Sequence, residues 1–175
     1  MLPDHHIDEH ADLFGTSIAV FSPARTHRYV LLRVWDAALP RIVFLMLNPS
    51  TADAFVNDPT VRRCLGFARR NGYGSLVVVN LFALRATNPA ELRTHPDPIG
   101  EHNNQFIVSY CATGSTVVAA WGVHGTLGDR WIEVTEILAS AGVGMKCLGT
   151  TKAGQPRHPL YVPGATPLAD WLAAA

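Results

Sequence analysis

The stretch RIVFLMLNPS, Arg41–Ser50, decides the fold. Ile42 to Leu47 are apolar without interruption, and Pro40 breaks the chain just before them. A strand with one wet face alternates polar and apolar residues. A short continuous run is the pattern of a strand covered on both faces, as in a parallel sheet. Three further runs share this character: SLVVVNLF (75–82), STVVAAWG (115–122) and VGMKCLG (143–149). Helical patterns lie between them. Asn57 or Asp58 offers an N-cap ahead of Pro59, and Gly72 stops the helix that follows near Asn71. A second helix is predicted over 100–112. A third is predicted over 127–141, where Leu127, Trp131, Val134, Ile137 and Leu138 fall at helical spacing. Pro167 opens a last predicted helix, 167–174. Upstream, TSIAVFS (16–22) and RYVLLRVWD (28–36) read as an antiparallel hairpin. Strands alternating with helices imply an α/β fold: a single three-layer domain with a mainly parallel four-stranded sheet between helices, preceded by that hairpin.

Composition agrees. The 175 residues are 48% hydrophobic and 16% charged. That is a globular balance, long enough to bury roughly two-thirds of the unfolded surface. No apolar run approaches the roughly 20 residues of a membrane span, and the N-terminus lacks the pattern of a secretory signal. Cys64, Cys111 and Cys147 are odd in number and far apart. They read as buried thiols in a reducing, cytoplasmic setting. No repeat or linker divides the chain, so residues 14–175 are expected to form one domain, with a monomer favoured. Residues 1–13 hold four acids and no Lys or Arg and are expected to be a mobile tail. Their His5, His6, Asp8 and His10 are metal-ligand types without a rigid element to hold them, so no metal or cofactor is expected. The 14 basic and 14 acidic residues cancel overall. Without the tail the remainder carries 14 basic and 10 acidic side chains, and no acid falls between Ile137 and Ala169. Nucleic-acid affinity usually needs a basic face, and this excess is modest.

Open α/β sheets bind ligands beyond the carboxyl ends of their strands. Asn48-Pro49-Ser50 follows the first core strand. Asn80 lies near the end of the second, Trp121-Gly122 ends the third, and His158-Pro159-Leu160-Tyr161 closes the loop after the fourth. Each residue also has a structural reading. Asn48 before Pro49 suits a turn. His158 suits a bond to a loop carbonyl, and Asn80 suits satisfying buried backbone. Asp53, Asp58, Arg62 and Arg63 suit helix capping and solvation better than a site. Arg85, Thr87 and Asn88 lie on a loop where substrate contacts are frequent. No H-E-x-x-H, Walker loop or G-x-S-x-G elbow is present.

These motifs, in this order, resemble the uracil-DNA-glycosylase superfamily. LNPS (47–50) looks like the first motif of its mismatch-specific uracil/thymine branch. VVVNLFALRATNP (77–89) looks like the strand-Asn, Arg and Asn-x-Pro-like loop of bacterial and archaeal members. VVAAWG (117–122) sits where the superfamily has an apolar strand ending in Gly. RHPLY (157–161) looks like its closing His-Pro motif. The longer string LNPSTAD, NDPTVRRC, NLFALRATNP, AWG and RHPLY matches a bacterial family of uncharacterised proteins more closely. The chain lacks the iron–sulfur cysteines of some glycosylases and any acid in the first motif. Leu160 replaces the Ser that usually follows His-Pro and contacts a DNA phosphate.

The resemblance implies a DNA N-glycosylase that flips a damaged or modified base and hydrolyses its N-glycosidic bond. A hypermodified pyrimidine in phage DNA is one substrate it suggests, which would be a phage-defence role. His158 would donate to the base oxygen where negative charge develops, and Asn48 would position water. Asn80 would read the base edge, with Pro49 beside it. Phe82, Trp121 or Tyr161 would stack, and the sequence does not choose among them. Ser50, Arg85, Lys152 and Arg157 would meet the DNA backbone. Two other readings compete: a hydrolase of a free nucleotide or nucleoside derivative, and a non-catalytic module that binds a modified base.

Overall fold

The computed structural model describes residues 5–172. Arg41–Met46 forms the strand its composition predicts, here β4, with Ile42, Phe44 and Met46 on one face and Val43 and Leu45 on the other. The described residues supply seven more strands. They are β1 (His6–Asp12), β2 (Gly15–Phe21), β3 (Arg28–Val34), β5 (Ser75–Asn80), β6 (Thr116–Ala119), β7 (Met145–Cys147) and β8 (Ala169–Trp171). All eight join one mixed sheet in the order β1-β2-β3-β5-β4-β6-β7-β8. Strands β5, β4, β6 and β7 are parallel. The first three strands and β8 add to them antiparallel.

Both faces of β4 and β5 are covered, which is why neither strand alternates. Helix α1 (Pro59–Arg70) buries Val61, Cys64, Phe67 and Ala68 against Phe44, Met46, Leu76 and Val78. Helices α2 (Asn103–Cys111) and α3 (Arg130–Ser140) bury Phe106, Ile107, Val134 and Leu138 against Val43, Leu45, Val77 and Val79. Each of the Val, Leu, Ile, Phe and Met side chains among them contributes roughly 1.5–3 kcal/mol when fully buried. Asp58 caps α1, its Oδ1 accepting from the Val61 N–H at 2.8 Å, and Pro59 takes the first turn. The three cysteines are buried and unpaired. Burial pushes the Cys111 thiol up to about 12.

Three expectations need correction. Among the described residues the sheet has eight strands, not four, and it is mixed rather than mainly parallel; the parallel strands β5, β4, β6 and β7 run together within it. Residues 6–12 of the expected tail form edge strand β1, pairing from His6↔Phe21 to Asp12↔Gly15. Almost all of it is exposed, so no buried face imposes a period on its sequence. Asp8 meets Arg25 in an ion pair that ties this edge to the β2–β3 turn. Residues 1–4 of that stretch lie outside the described residues. Third, the helix expected over 167–174 is strand β8, with Met145↔Trp171 and Lys146↔Asp170 opposed. Trp171 is the reason. It is buried edge-on to Trp121, with ring centroids 5.1 Å apart, and its Nε1 donates to the Gly154 carbonyl at 3.3 Å. Residues 173–175 lie outside the described residues.

Candidate active site

A cavity of about 820 Å³ opens at the carboxyl ends of the parallel strands, on the α1 side of the sheet. Met46 and Val78 reach it from the strands and Val61 from α1. Asn48, Ser50, Asn80, Trp121, Lys152, Arg157, His158 and Tyr161 all line it. Four segments far apart in sequence meet there because parallel strands deliver all their exit loops to one edge.

Asn48 is fastened by its amide nitrogen. Nδ2 donates to the Ala86 carbonyl at 2.7 Å and to the Pro49 carbonyl at 3.0 Å. With both amide hydrogens used, Oδ1 is the group left to accept from a water or ligand. Asn80 is the converse. It is 1% exposed, and its Nδ2 has no partner among the described residues. A buried donor left unpaired costs about 1–3 kcal/mol, a cost that a ligand acceptor removes.

His158 heads a short turn, Pro159–Tyr161, and its Nδ1 accepts from the Leu160 N–H at 3.3 Å. Burial lowers its pKa, and the Asp58 carboxylate only partly opposes this. The imidazole is therefore neutral at neutral pH. Since Nδ1 accepts, Nε2 carries the proton and is a donor. Gly122 makes room for it, with φ at +75° and a hypothetical Cβ 3.3 Å from His158 Cβ.

The three aromatic candidates separate. Trp121 is part of the wall, buried, with Nε1 donating to Gln155 Oε1 at 2.7 Å. Tyr161 is 80% exposed, its ring centroid 5.5 Å from that of His158. Phe82 does not line the cavity. It is packed in the core on the α2/α3 side of the sheet. Pro49 is buried and off the lining as well, and its carbonyl serves Asn48 and the Ala86 N–H. Arg85 lies in an adjoining open groove that shares Ser50, Ala86 and Thr87 with the cavity. Its guanidinium sits 5.1 Å over the Phe21 ring. Arg157 is steered by a 2.9 Å bond from Nε to the Thr150 carbonyl.

The sequence reading missed Arg28, Thr60, His124 and Thr151, and preferred a capping role for Asp58 over a place in the site. Asp58 caps α1 and lines the cavity as well. Arg28 is the larger omission. It begins β3, is 2% exposed, and lines the cavity. Nη1 donates to the Ala52 carbonyl at 2.6 Å, and Nε has no partner among the described residues. Burial lowers its pKa to about 10, so it stays protonated at neutral pH. Charged lining residues are then Arg28, Lys152 and Arg157 against Asp58 alone. Among the described residues no group of three or more His, Cys, Asp or Glu is placed to hold a metal ion, and no helix is long and apolar enough to cross a membrane.

Neither the curated proteins nor the solved structures contain a match to the chain. Residues 28–160 match the model of a family described as protein of unknown function, DUF1643, and the chain belongs to that family.

Proposed function

We propose that this protein is a DNA N-glycosylase that releases a damaged or modified base and leaves an abasic site. The observation that carries this reading is the meeting of Asn48, Asn80 and His158 on one cavity. Hydrolysis of an N-glycosidic bond puts positive charge on the sugar and negative charge on the departing base. The neutral His158 Nε2–H is a preorganised donor for the base oxygen, a kind of contact worth about 2.7–4 kcal/mol. Asn48 Oδ1 holds the attacking water. An amide is too weak a base to deprotonate that water, and Asp58, the one carboxylate among the lining residues, takes its proton. Asn80 Nδ2 meets an acceptor on the base edge, and Tyr161 covers the mouth. The cavity volume falls within the roughly 300–1,000 Å³ of sites for drug-sized ligands. That is ample for a pyrimidine carrying a bulky substituent, such as a hypermodified base of phage DNA.

Single-turnover base release tests the reading. Substrates are duplex and single-stranded DNA carrying uracil, a thymine mismatch, hypoxanthine, or hydroxymethylated or glucosylated cytosine, and alkaline cleavage scores the abasic sites. Release of one base by the wild type, lost in both Asn48→Ala and His158→Ala, is the expected result. Absence of an abasic product from every substrate by folded protein defeats the proposal.

The second reading, a hydrolase of a free nucleotide or nucleoside derivative, is favoured by Arg28. A charged guanidinium inside the cavity suits a ligand that brings its own negative charge there.

A further inference from the structure

We propose that Arg28 anchors an anion subsite inside the cavity, one that takes a phosphoryl group of the ligand. Its guanidinium is withdrawn from water and lines the cavity wall. Among the described residues no carboxylate reaches ion-pair distance of it. Asp58 and Asp53 act on it from longer range, and Arg33 and Arg85 oppose them. Taking a cation out of water costs several kcal/mol unless an opposite charge comes close. The fold gains only the bond to the Ala52 carbonyl in return, and a neutral donor would serve that as well. The missing counter-charge is therefore supplied by the ligand.

The surrounding groups specify its chemistry. Ser50, Thr60 and Thr151 bring hydroxyls to the same cavity, and Lys152 and Arg157 bring cations from more exposed positions. Donors arriving from several directions suit a group with several equivalent oxygens. Arginine's planar fork matches phosphate geometry, which a lysine would not do as well. The subsite rests on reading this cavity as a nucleotide site, and not on cleavage of the N-glycosidic bond. Two sources share the chemistry: the phosphate of a free nucleotide and the phosphodiester of a strand.

The test is a ³¹P NMR titration at constant ionic strength with three probes: inorganic phosphate, a nucleoside 5′-monophosphate, and a short oligonucleotide without terminal phosphates. We expect saturable binding of at least one probe by the wild type. It should weaken tenfold or more in Arg28→Met, the loss expected for a charge-assisted bond, and return in part in Arg28→Lys. Binding of the first two probes assigns a free phosphate, and binding of the oligonucleotide alone assigns the strand. The ¹⁵N resonance of the Arg28 Nε–H gives a reading that needs no substitution, and it should move saturably with the bound probe. No saturable binding of any probe, equal affinity in folded Arg28→Met, or an unmoved Nε–H resonance overturns the subsite. These readouts measure binding, so a failure of base release leaves them interpretable.

Discussion

Two buried arginines lie near the carboxyl edge of the sheet, each 2% exposed, and they are treated oppositely. Arg130, at the start of α3, pairs with Glu133 at 2.7 Å, donates from Nε to the Leu81 carbonyl at 2.9 Å, and reaches Asn104 Oδ1. Arg28, beside Ala52 in the α1 layer, has one carbonyl and, among the described residues, no carboxylate. The same contrast divides the neighbouring asparagines. Asn103 gives its amide to the Asn80 and Leu81 carbonyls, whereas the Asn80 amide faces the cavity without a partner. The Arg130 charge and the Asn103 amide hydrogens are spent on the fold, whereas the Arg28 charge and the Asn80 amide hydrogens are left for something else. The first set should govern stability and the second function.

The largest expected effect falls on chemistry. His158→Ala should slow base release about 10²–10³-fold, the usual cost of one preorganised donor, with the far-ultraviolet spectrum and melting curve nearly unchanged. A loss of folding instead would move His158 to the structural set. The arginine pair comes next. Arg130→Met removes an ion pair and two hydrogen bonds and should lower unfolding free energy by about 2–4 kcal/mol. Arg28→Met loses one bond but sheds an unpaired charge, and should stay within about 1 kcal/mol of wild type. Urea titrations of both variants check this, and equal losses would break the contrast. Asp58 belongs to both sets and can be split. Asn caps as well as Asp, so Asp58→Asn should keep stability and lose base release. Asp58→Ala should lose about 1 kcal/mol in addition.

The sequence was most legible where burial is symmetrical. Strands β4 and β5 are covered on both faces, so their continuous apolar runs point to the parallel centre, and through it to Asn48, Asn80 and His158 at its exits. Strand β1 was illegible for the opposite reason. With both faces near water its sequence carries no period, and its charges suit an edge that must not pair with another chain. Strand β8 hangs on one buried tryptophan, too short a signal beside a helix-like PLADWLAAA. Arg28 was hidden because a charged residue at the head of a strand reads as its solvated end. Its buried contact is to the Ala52 carbonyl, 24 residues away, which nothing next to Arg28 in the sequence announces. Asp58 was visible as a cap, and nothing local to it shows that the cap also faces a cavity.

The smallest effect is on acid stability, and its sign follows from His158. Its folded pKa lies below the ordinary 6.5, chiefly because it is buried. The unfolded chain therefore takes up the proton first as pH falls, and stability declines from about pH 6.5 down to the folded value. Asp8, Glu133 and Asp170 have lowered carboxyl pKa values. Their contributions persist until pH falls below the ordinary carboxylate range of 3.8–4.5, so they stay in place between pH 7 and pH 5.5. Urea midpoints at pH 7 and pH 5.5 should therefore fall further in the wild type than in His158→Gln, which cannot titrate. An identical fall in both would mean that the imidazole is hydrated in the free protein. A hydrated ring would not be held neutral by burial, and the preorganised Nε2–H donor would have to be assembled by the ligand instead.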